Sequence, residues 1–445
     1  MTVTVEEFAQ RRRALLEQLP VDSLVLLPAA QLRYRNRDAE YPFRQDSDFL
    51  YLCGFPEPEA WLVLHRGATR NDELLFVLPR DPDKEVWNGY RAGPEGAVER
   101  YGLARAYPLE QLESELLKLL PGCQRIYYPF GRSPSLDQQV LGWRNRSAHG
   151  AREAASVAQQ LHNLDPWLHE MRLFKSPAEQ ALMRHAGAVS AAAHVRAMQC
   201  CRPGMMEYQL EAEIQHQFAQ AGCRFAAYGT IVGGGANGCI LHYTDNRDTL
   251  RDGDLVLIDA GCEAEGYAGD ITRTFPVNGR FSEAQRELYQ LVLDAQLAAL
   301  AEIHPGASWN APHERAVAVL TEGLLTLGLL QGELATLIAD EAYRPFYMHR
   351  TGHWLGLDVH DVGDYKRNDQ WRTLQPGMVL TVEPGLYIAP DNQQVDARWR
   401  GIGIRIEDDV LVTEHGHEVL TAGVPKQIDA IEQLMAVSAA SVACD

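Results

Sequence analysis

Hydrophobic spacing divides the chain into two regions of different character. In the first, short apolar runs alternate with helical stretches. Residues 5–19 carry the three-to-four-residue spacing of an amphipathic helix, and residues 110–120 repeat it. Residues 23–28, 49–52, 61–65, 74–78 and 126–129 read as short strands. Together they predict an α/β domain, followed by a helical connector over residues 152–173. Ser176-Pro177-Ala178-Glu179 then opens a new helix, with Ser176 as N-cap, Pro177 at the first position and Glu179 completing a capping box. The expected domains are therefore 1–173 and 174–445.

The second region repeats one pattern. Helices are expected at 177–200 and 206–221, joined by Arg202-Pro203-Gly204, with strands filling 225–275. A second capping box, Ser282-Glu283-Ala284-Gln285, opens a helix that His304-Pro305-Gly306 breaks. A helix at 310–327 follows, and strands fill 346–412. Two successive helix–helix–sheet units predict a pseudo-duplicated α+β domain, its sheet backed by helices.

Within the first of these units, residues 254–275 read D-L-V-L-I-D-A-G-C-E-A-E-G-Y-A-G-D-I-T-R-T-F. Apolar strand formers at 255–258 and 271–275 flank a turn expected at Glu263-Ala264-Glu265-Gly266. Asp259 and Asp270 are equidistant from the middle of that turn, which sets them opposite each other, about 4.5–5.5 Å apart. Facing like charges destabilise a ladder, so a pair of divalent ions between them fits this arrangement. An exposed hairpin with both carboxylates in water is the other reading.

Composition narrows the function. The 445 residues are 46% hydrophobic and 23% charged, as in an ordinary folded protein. A net charge of −19 argues against nucleic acid and anionic membrane as partners. No apolar run approaches the length of a membrane span, and the start M-T-V-T-V-E-E-F-A-Q-R-R-R has no secretory pattern. Eight cysteines without C-x-x-C pairs suggest free thiols, hence a cytoplasmic setting.

Further acids and imidazoles stand on strand-like segments later in the chain. An apolar strand delivers Glu383 and stops at Pro384-Gly385. In residues 401–408, Ile402, Ile404 and Ile406 share one face, and Gly403, Arg405 and Glu407 the other. Taken in isolation, Arg405 and Glu407 read as a plain same-face ion pair. Of 15 histidines, His349, His353 and His360 fall within thirteen residues, and His242 precedes the aspartate hairpin. Two aspartates, two glutamates and one histidine make an oxygen-rich donor set suited to Mn²⁺, with Co²⁺, Fe²⁺ or Zn²⁺ as alternatives. Carboxylate-bridged ions about 3.5–4 Å apart acidify a water for attack on an acyl bond.

The ordered set Asp259, Asp270, His353, Glu383, Glu407 resembles the metal ligands of the pita-bread metallopeptidases, the family of methionine aminopeptidase, prolidase and aminopeptidase P. The contexts I-D-A-G-C, G-D-I-T-R-T-F, G-H-W-L-G-L-D-V-H-D, V-E-P-G-L-Y and R-I-E-D-D carry the likeness, over about residues 175–420. Residues 34–49, Y-R-N-R-D-A-E-Y-P-F-R-Q-D-S-D-F, look like the N-terminal domain of the bacterial aminopeptidase P group.

The resemblance implies a dinuclear Mn²⁺ exopeptidase that releases an N-terminal residue preceding proline. It implies that Asp259 is bidentate to one metal, that Asp270 and Glu407 bridge, and that His353 and Glu383 complete the other metal's shell. His360 would meet the substrate near the scissile carbonyl, with His242 and His349 shaping the proline pocket and Arg405 orienting a carboxylate. Asp38, Trp87, Arg152 and Tyr365 match positions tied to the site or its access, some reaching it from a neighbouring subunit of a tetramer. The N-terminal domain would then serve oligomerisation, as tetramer or dimer, and substrate access. One departure stands out: between His349 and His353 the chain reads R-T-G where this group more often has G-L-S, which brings it nearer prolidase. A dipeptide-specific prolidase and a non-catalytic pita-bread binding module are the alternatives.

Overall fold

The strands of the first region come together in one sheet. The computed structural model describes residues 2–150 and 158–442. Contacts divide it into two units, 2–172 and the remainder from Leu173. In the first unit the strand order is Arg105–Pro108, Asn71–Val77, Trp61–Arg66, Ser23–Pro28, Arg125–Tyr128, Gln160–Asn163. The central three strands are antiparallel and the outer ones pair parallel. Leu24, Leu26, Val63, Phe76 and Ile126 pack against Leu112 and Leu116 of the helix Leu112–Leu119.

Two expectations fail here. Residues 49–52 are not a strand but the middle of the helix Ser47–Cys53. Asp46 caps it by accepting from Phe49 N at 3.0 Å, and Gly54 ends it in the left-handed conformation. A four-residue apolar run cannot by itself distinguish the two structures, so the caps decide. The connector is not one helix either. Gln160–Asn163 forms the sheet's last strand before the helix Asp165–Leu173, while residues 151–157, Arg152 among them, lie outside the described residues.

The second unit has both helix pairs. Ser176 and Glu179 exchange capping hydrogen bonds (3.3 and 2.8 Å) at the head of Pro177–Cys200, and Ser282 and Gln285 do so (3.3 and 2.9 Å) at Glu283–Ala301. Glu207–Gln220 packs on the first helix and Ala311–Thr326 on the second. Each pair backs a hairpin, and the two hairpins bring the acids together.

In the first hairpin, Leu255–Asp259 pairs antiparallel with Thr272–Pro276. The turn is the two-residue Glu265-Gly266, with φ of 51° and 90°, the double left-handed step that hairpins prefer. It is centred one residue later than the sequence suggested, so Asp259 faces Thr272 instead of Asp270. The offset leaves each side chain on the face expected for it, because opposite strands shift together. Asp259 and Asp270 become diagonal neighbours. Gly261 is obligatory at the crossing: a Cβ there would lie 1.7 Å from the Gly269 carbonyl oxygen.

The second hairpin opens in its middle. Val379–Val382 pairs with Asp408–Thr413, and Gly385–Ile388 pairs with Ile402–Arg405, in one continuous register. Between the two ladders, Glu383-Pro384 stands across from Ile406-Glu407. Pro384 has no N–H to donate, and the gap keeps the single bond Ile406 N to Pro384 O, 3.3 Å. Glu383 and Glu407 therefore occupy matching positions on either side of the gap. The expected strands over 346–365 do not form. That stretch is irregular apart from a bridge between Trp354 and Leu380, which anchors His353 beside the second hairpin.

Candidate active site

One cavity of about 600 Å³ is lined by Asp259, Asp270, His353, Glu383 and Glu407, together with His242, His349, His360, Tyr365 and Arg405. Ten of the thirteen residues singled out in the sequence thus meet in one place. Asp38 and Trp87 belong to the other unit, are exposed there and do not line the cavity.

The five donors converge. His353 Nε2 lies 3.4 Å from Asp270 Oδ2 and 3.6 Å from Glu383 Oε1. One oxygen each of Asp270 and Glu407 and a ring nitrogen of His353 lie within 4.8 Å of one another. The imidazole is set from behind: its Nδ1–H donates to the Trp354 carbonyl at 2.9 Å, which leaves Nε2 facing the carboxylates. Thr272 donates to Glu407 Oε2 at 2.6 Å, and Tyr228 donates to Asp259 Oδ1 at 2.6 Å. Arg405 spans the group, with Nη2 on Asp259 Oδ2 (2.6 Å), Nε on Thr272 Oγ1 (3.0 Å) and Nη1 on the Tyr387 hydroxyl (3.0 Å). Its ion pair is with Asp259, not the same-face Glu407.

Electrostatics show what the site needs. Burial, with neighbouring acids, pushes the carboxyls of Asp259 and Glu407 up, and burial pushes Glu383 up to about 7. Burial would lower His353, but its hydrogen bond to Asp270 and the charge of Glu383 outweigh this and raise it to about 9. Four acids, three of them buried, gather around the Arg405 guanidinium. A divalent cation relieves that excess, and the donor set, its geometry and the pre-set His353 tautomer fit one.

A second cluster shows the contrast. Asp48, Asp165 and His169 also bring metal-donor atoms together, but Arg132 reaches Asp48 at 2.7 Å and Asp165 at 2.5 Å, and Arg172 reaches Asp48 at 2.8 Å. Its charge is already answered by guanidinium.

Around the cavity, burial lowers His349 to about 3, so its ring is neutral; its Nδ1–H donates to the Arg350 carbonyl and Nε2 accepts from the Tyr387 hydroxyl at 2.9 Å. His360 stacks edge-on to His353 with ring centres 4.4 Å apart, and desolvation and the charge of His353 lower its pKa. Tyr228, Thr272 and Tyr387 carry the site's outer hydrogen bonds and were not singled out in the sequence. Asp409 was also missed: fully buried, it accepts from Asp270 N at 3.0 Å.

The family model of metallopeptidase family M24 matches residues 181–414, and that of the aminopeptidase P N-terminal domain matches residues 8–127. The chain belongs to metallopeptidase family M24, and its second unit has the pita-bread fold expected from the sequence. Within that family it is similar to aminopeptidase P over nearly its whole length. It is 50% identical to the Xaa-Pro aminopeptidase of Escherichia coli over 97% of this chain and 98% of that one. Identity to the Haemophilus influenzae Xaa-Pro aminopeptidase is 47%, covering 97% of each. Among solved structures, Pseudomonas aeruginosa aminopeptidase PepP superposes with a TM-score of 0.97 at 52% identity, covering 98% of this chain and 99% of that one. E. coli aminopeptidase P with the inhibitor Pro-Leu gives 0.95 at 49%, with the same coverage.

Proposed function

We propose that this chain is a metal-dependent aminopeptidase that cleaves the bond between an N-terminal residue and a following proline. The observation that carries the reading is the convergence of Asp259, Asp270, His353, Glu383 and Glu407 on one cavity, with His353 Nε2 turned toward two of the acids. These five would hold two divalent ions. Mn²⁺ is the assignment favoured by four carboxylates and one imidazole, and a zinc-substituted E. coli aminopeptidase P among the similar structures supports a site that takes other ions. Such ions acidify water toward neutral pH and polarise the scissile carbonyl.

The chain's own groups do the rest. Arg405 and Tyr228 hold both oxygens of Asp259, and Thr272 holds Glu407, so the carboxylates keep their places. His360, at the cavity's solvent-facing side, is placed to hydrogen-bond the carbonyl oxygen as charge develops on it. Neutral His349, fixed by Tyr387, and His242 form the wall against which a proline ring packs. The bond before proline is a tertiary amide without N–H, so a site built on cations and imidazoles lacks nothing that the substrate cannot supply. The acidic interior favours the substrate's free α-ammonium group. Tyr365, whose hydroxyl accepts from Trp354 N at 3.3 Å, lines the cavity as well.

The N-terminal unit we assign to oligomerisation and substrate access, in a tetramer or dimer where exposed residues such as Asp38 or Trp87 reach a neighbouring subunit's site. The 87% exposure of Trp87, beside exposed Val86 and Tyr90, supports a surface that is covered in an assembly. Seven free cysteines among the described residues support a reducing, cytoplasmic setting.

The test is a panel of Xaa-Pro-Xaa peptides and Xaa-Pro dipeptides, followed by mass spectrometry before and after chelation. Release of the first residue from the longer peptides, lost on chelation and restored by Mn²⁺, is expected. Full activity in a metal-free preparation overturns the metal reading, and cleavage of dipeptides alone replaces the enzyme with a prolidase.

A further inference from the structure

Beside the catalytic cavity lies a smaller one of about 490 Å³, lined by Trp309, Arg350, Gly352, Tyr365, Lys366 and Trp371. The two share Arg350, Gly352 and Tyr365, so they are continuous, and the second opens next to His353. Its walls are aromatic. Trp309 and Tyr365 pack with ring centres 4.8 Å apart, and Trp371 is the third aromatic of the lining. Its only ionisable groups besides Tyr365 are two cations. The Arg350 guanidinium sits 4.9 Å from the Trp371 ring centre, and Lys366 Nζ sits 4.2 Å from it.

In a protein whose net charge is −19, these two cations stand without a directly bound carboxylate. Among the described residues neither makes an ion pair with a carboxylate. Arg350 donates to Asn310 Oδ1, and Glu314, whose charge acts on Arg350, is itself bound by Asn310 Nδ2 at 2.6 Å. Desolvation pulls the Arg350 pKa below its ordinary value. Two exposed cations stacked on one indole at the mouth of the pocket, neither ion-paired to a carboxylate, form a receptor for a flat anion. The neighbouring catalytic cavity is acidic, so an anion is drawn to this end and an ammonium to the other.

We propose that this pocket is a subsite for a carboxylate carried by the part of the peptide that follows the proline, with Arg350 and Lys366 as its counter-ions. The proposal rests on the peptidase reading above. Arg350 is the first of the three residues, Arg350-Thr351-Gly352, at which the His349–His353 segment departs from the G-L-S form, so the charged part of that departure becomes a specificity feature. The carboxylate has two sources: the C-terminus of a short peptide, or an acidic side chain beyond the proline.

Four substrates separate them: Ala-Pro-Ala, its C-terminal amide, and the amides of Ala-Pro-Glu and Ala-Pro-Gln. The quantity read is the ratio of kcat/KM, acid over neutral, in the wild type and in the Arg350→Gln, Lys366→Gln double variant. A wild-type preference of about fivefold or more for the free acid, falling to about one in the double variant, supports the subsite and assigns it to the C-terminus. The same behaviour for Glu over Gln assigns it to a side chain. Ratios near one for both pairs, or a preference that survives in the double variant, overturn the proposal. Failure to cleave any of the four overturns the peptidase reading instead.

Discussion

Arg405 Nη2 stands 2.6 Å from Asp259 Oδ2, while the same guanidinium reaches Thr272 and the Tyr387 hydroxyl. It is buried, and it joins the first hairpin to the second. A lysine offers a point charge and cannot engage three partners in a plane. Arg405→Lys should therefore weaken metal affinity about 10- to 100-fold and lower kcat/KM. Isothermal titration with Mn²⁺ measures the first. An unchanged affinity means that Asp259 does not need this partner.

Asp259→Ala and Glu407→Ala remove one carboxylate each from opposite hairpins. Each should abolish metal binding and peptide cleavage together, read by elemental analysis beside a peptide assay. Peptidase activity surviving in either variant refutes its assignment as a ligand. Loss of activity with full metal content would make it a substrate contact.

His360 tests a different role. It lines the cavity next to His353 but is not among the five convergent donors. His360→Ala should lower kcat about 10²-fold or more, with metal content nearly intact. Equal loss of both would place its ring among the ligands.

Much of this site was legible because its donors end apolar strands, where a polar residue is conspicuous. Glu383 after V-L-T-V and Asp259 after L-V-L-I are of this kind. The exact pairing was not. Four turn-compatible residues at 263–266 allow more than one centre, and only the left-handed pair Glu265-Gly266 shows which the chain uses. The opening of the second ladder at Glu383-Pro384 and Ile406-Glu407 has half a signal, the proline; its other side reads as unbroken alternation. Tyr228, Thr272 and Tyr387 carry no signal by themselves, since a threonine or tyrosine in or beside a strand is ordinary. Tertiary packing alone makes them partners of Asp259, Glu407 and His349. Residues 49–52 failed for the opposite reason, being too short for a period to show.

His194 gives a prediction about stability that is separate from catalysis. It is fully buried in the helix Pro177–Cys200, where Nε2–H donates to the Ala260 carbonyl at 3.0 Å, one residue beyond Asp259. Its Nδ1 has no hydrogen-bond partner. Burial lowers its pKa to about 4, against about 6.5 for an unfolded histidine. Between these values the unfolded chain binds a proton that the folded chain refuses, so acid favours unfolding. Stability from this one group is complete above pH ~6.5 and is lost at up to about 1.4 kcal/mol per pH unit as pH falls toward 4. His194→Gln keeps a donor for Ala260 and removes the titration. Urea unfolding of chelated wild type and variant at pH 7, 6 and 5 isolates the effect, because the acid cluster titrates alike in both. The gap between their stabilities should shift in the variant's favour as pH drops. A gap that stays constant across the three pH values means that His194 is protonated in the fold.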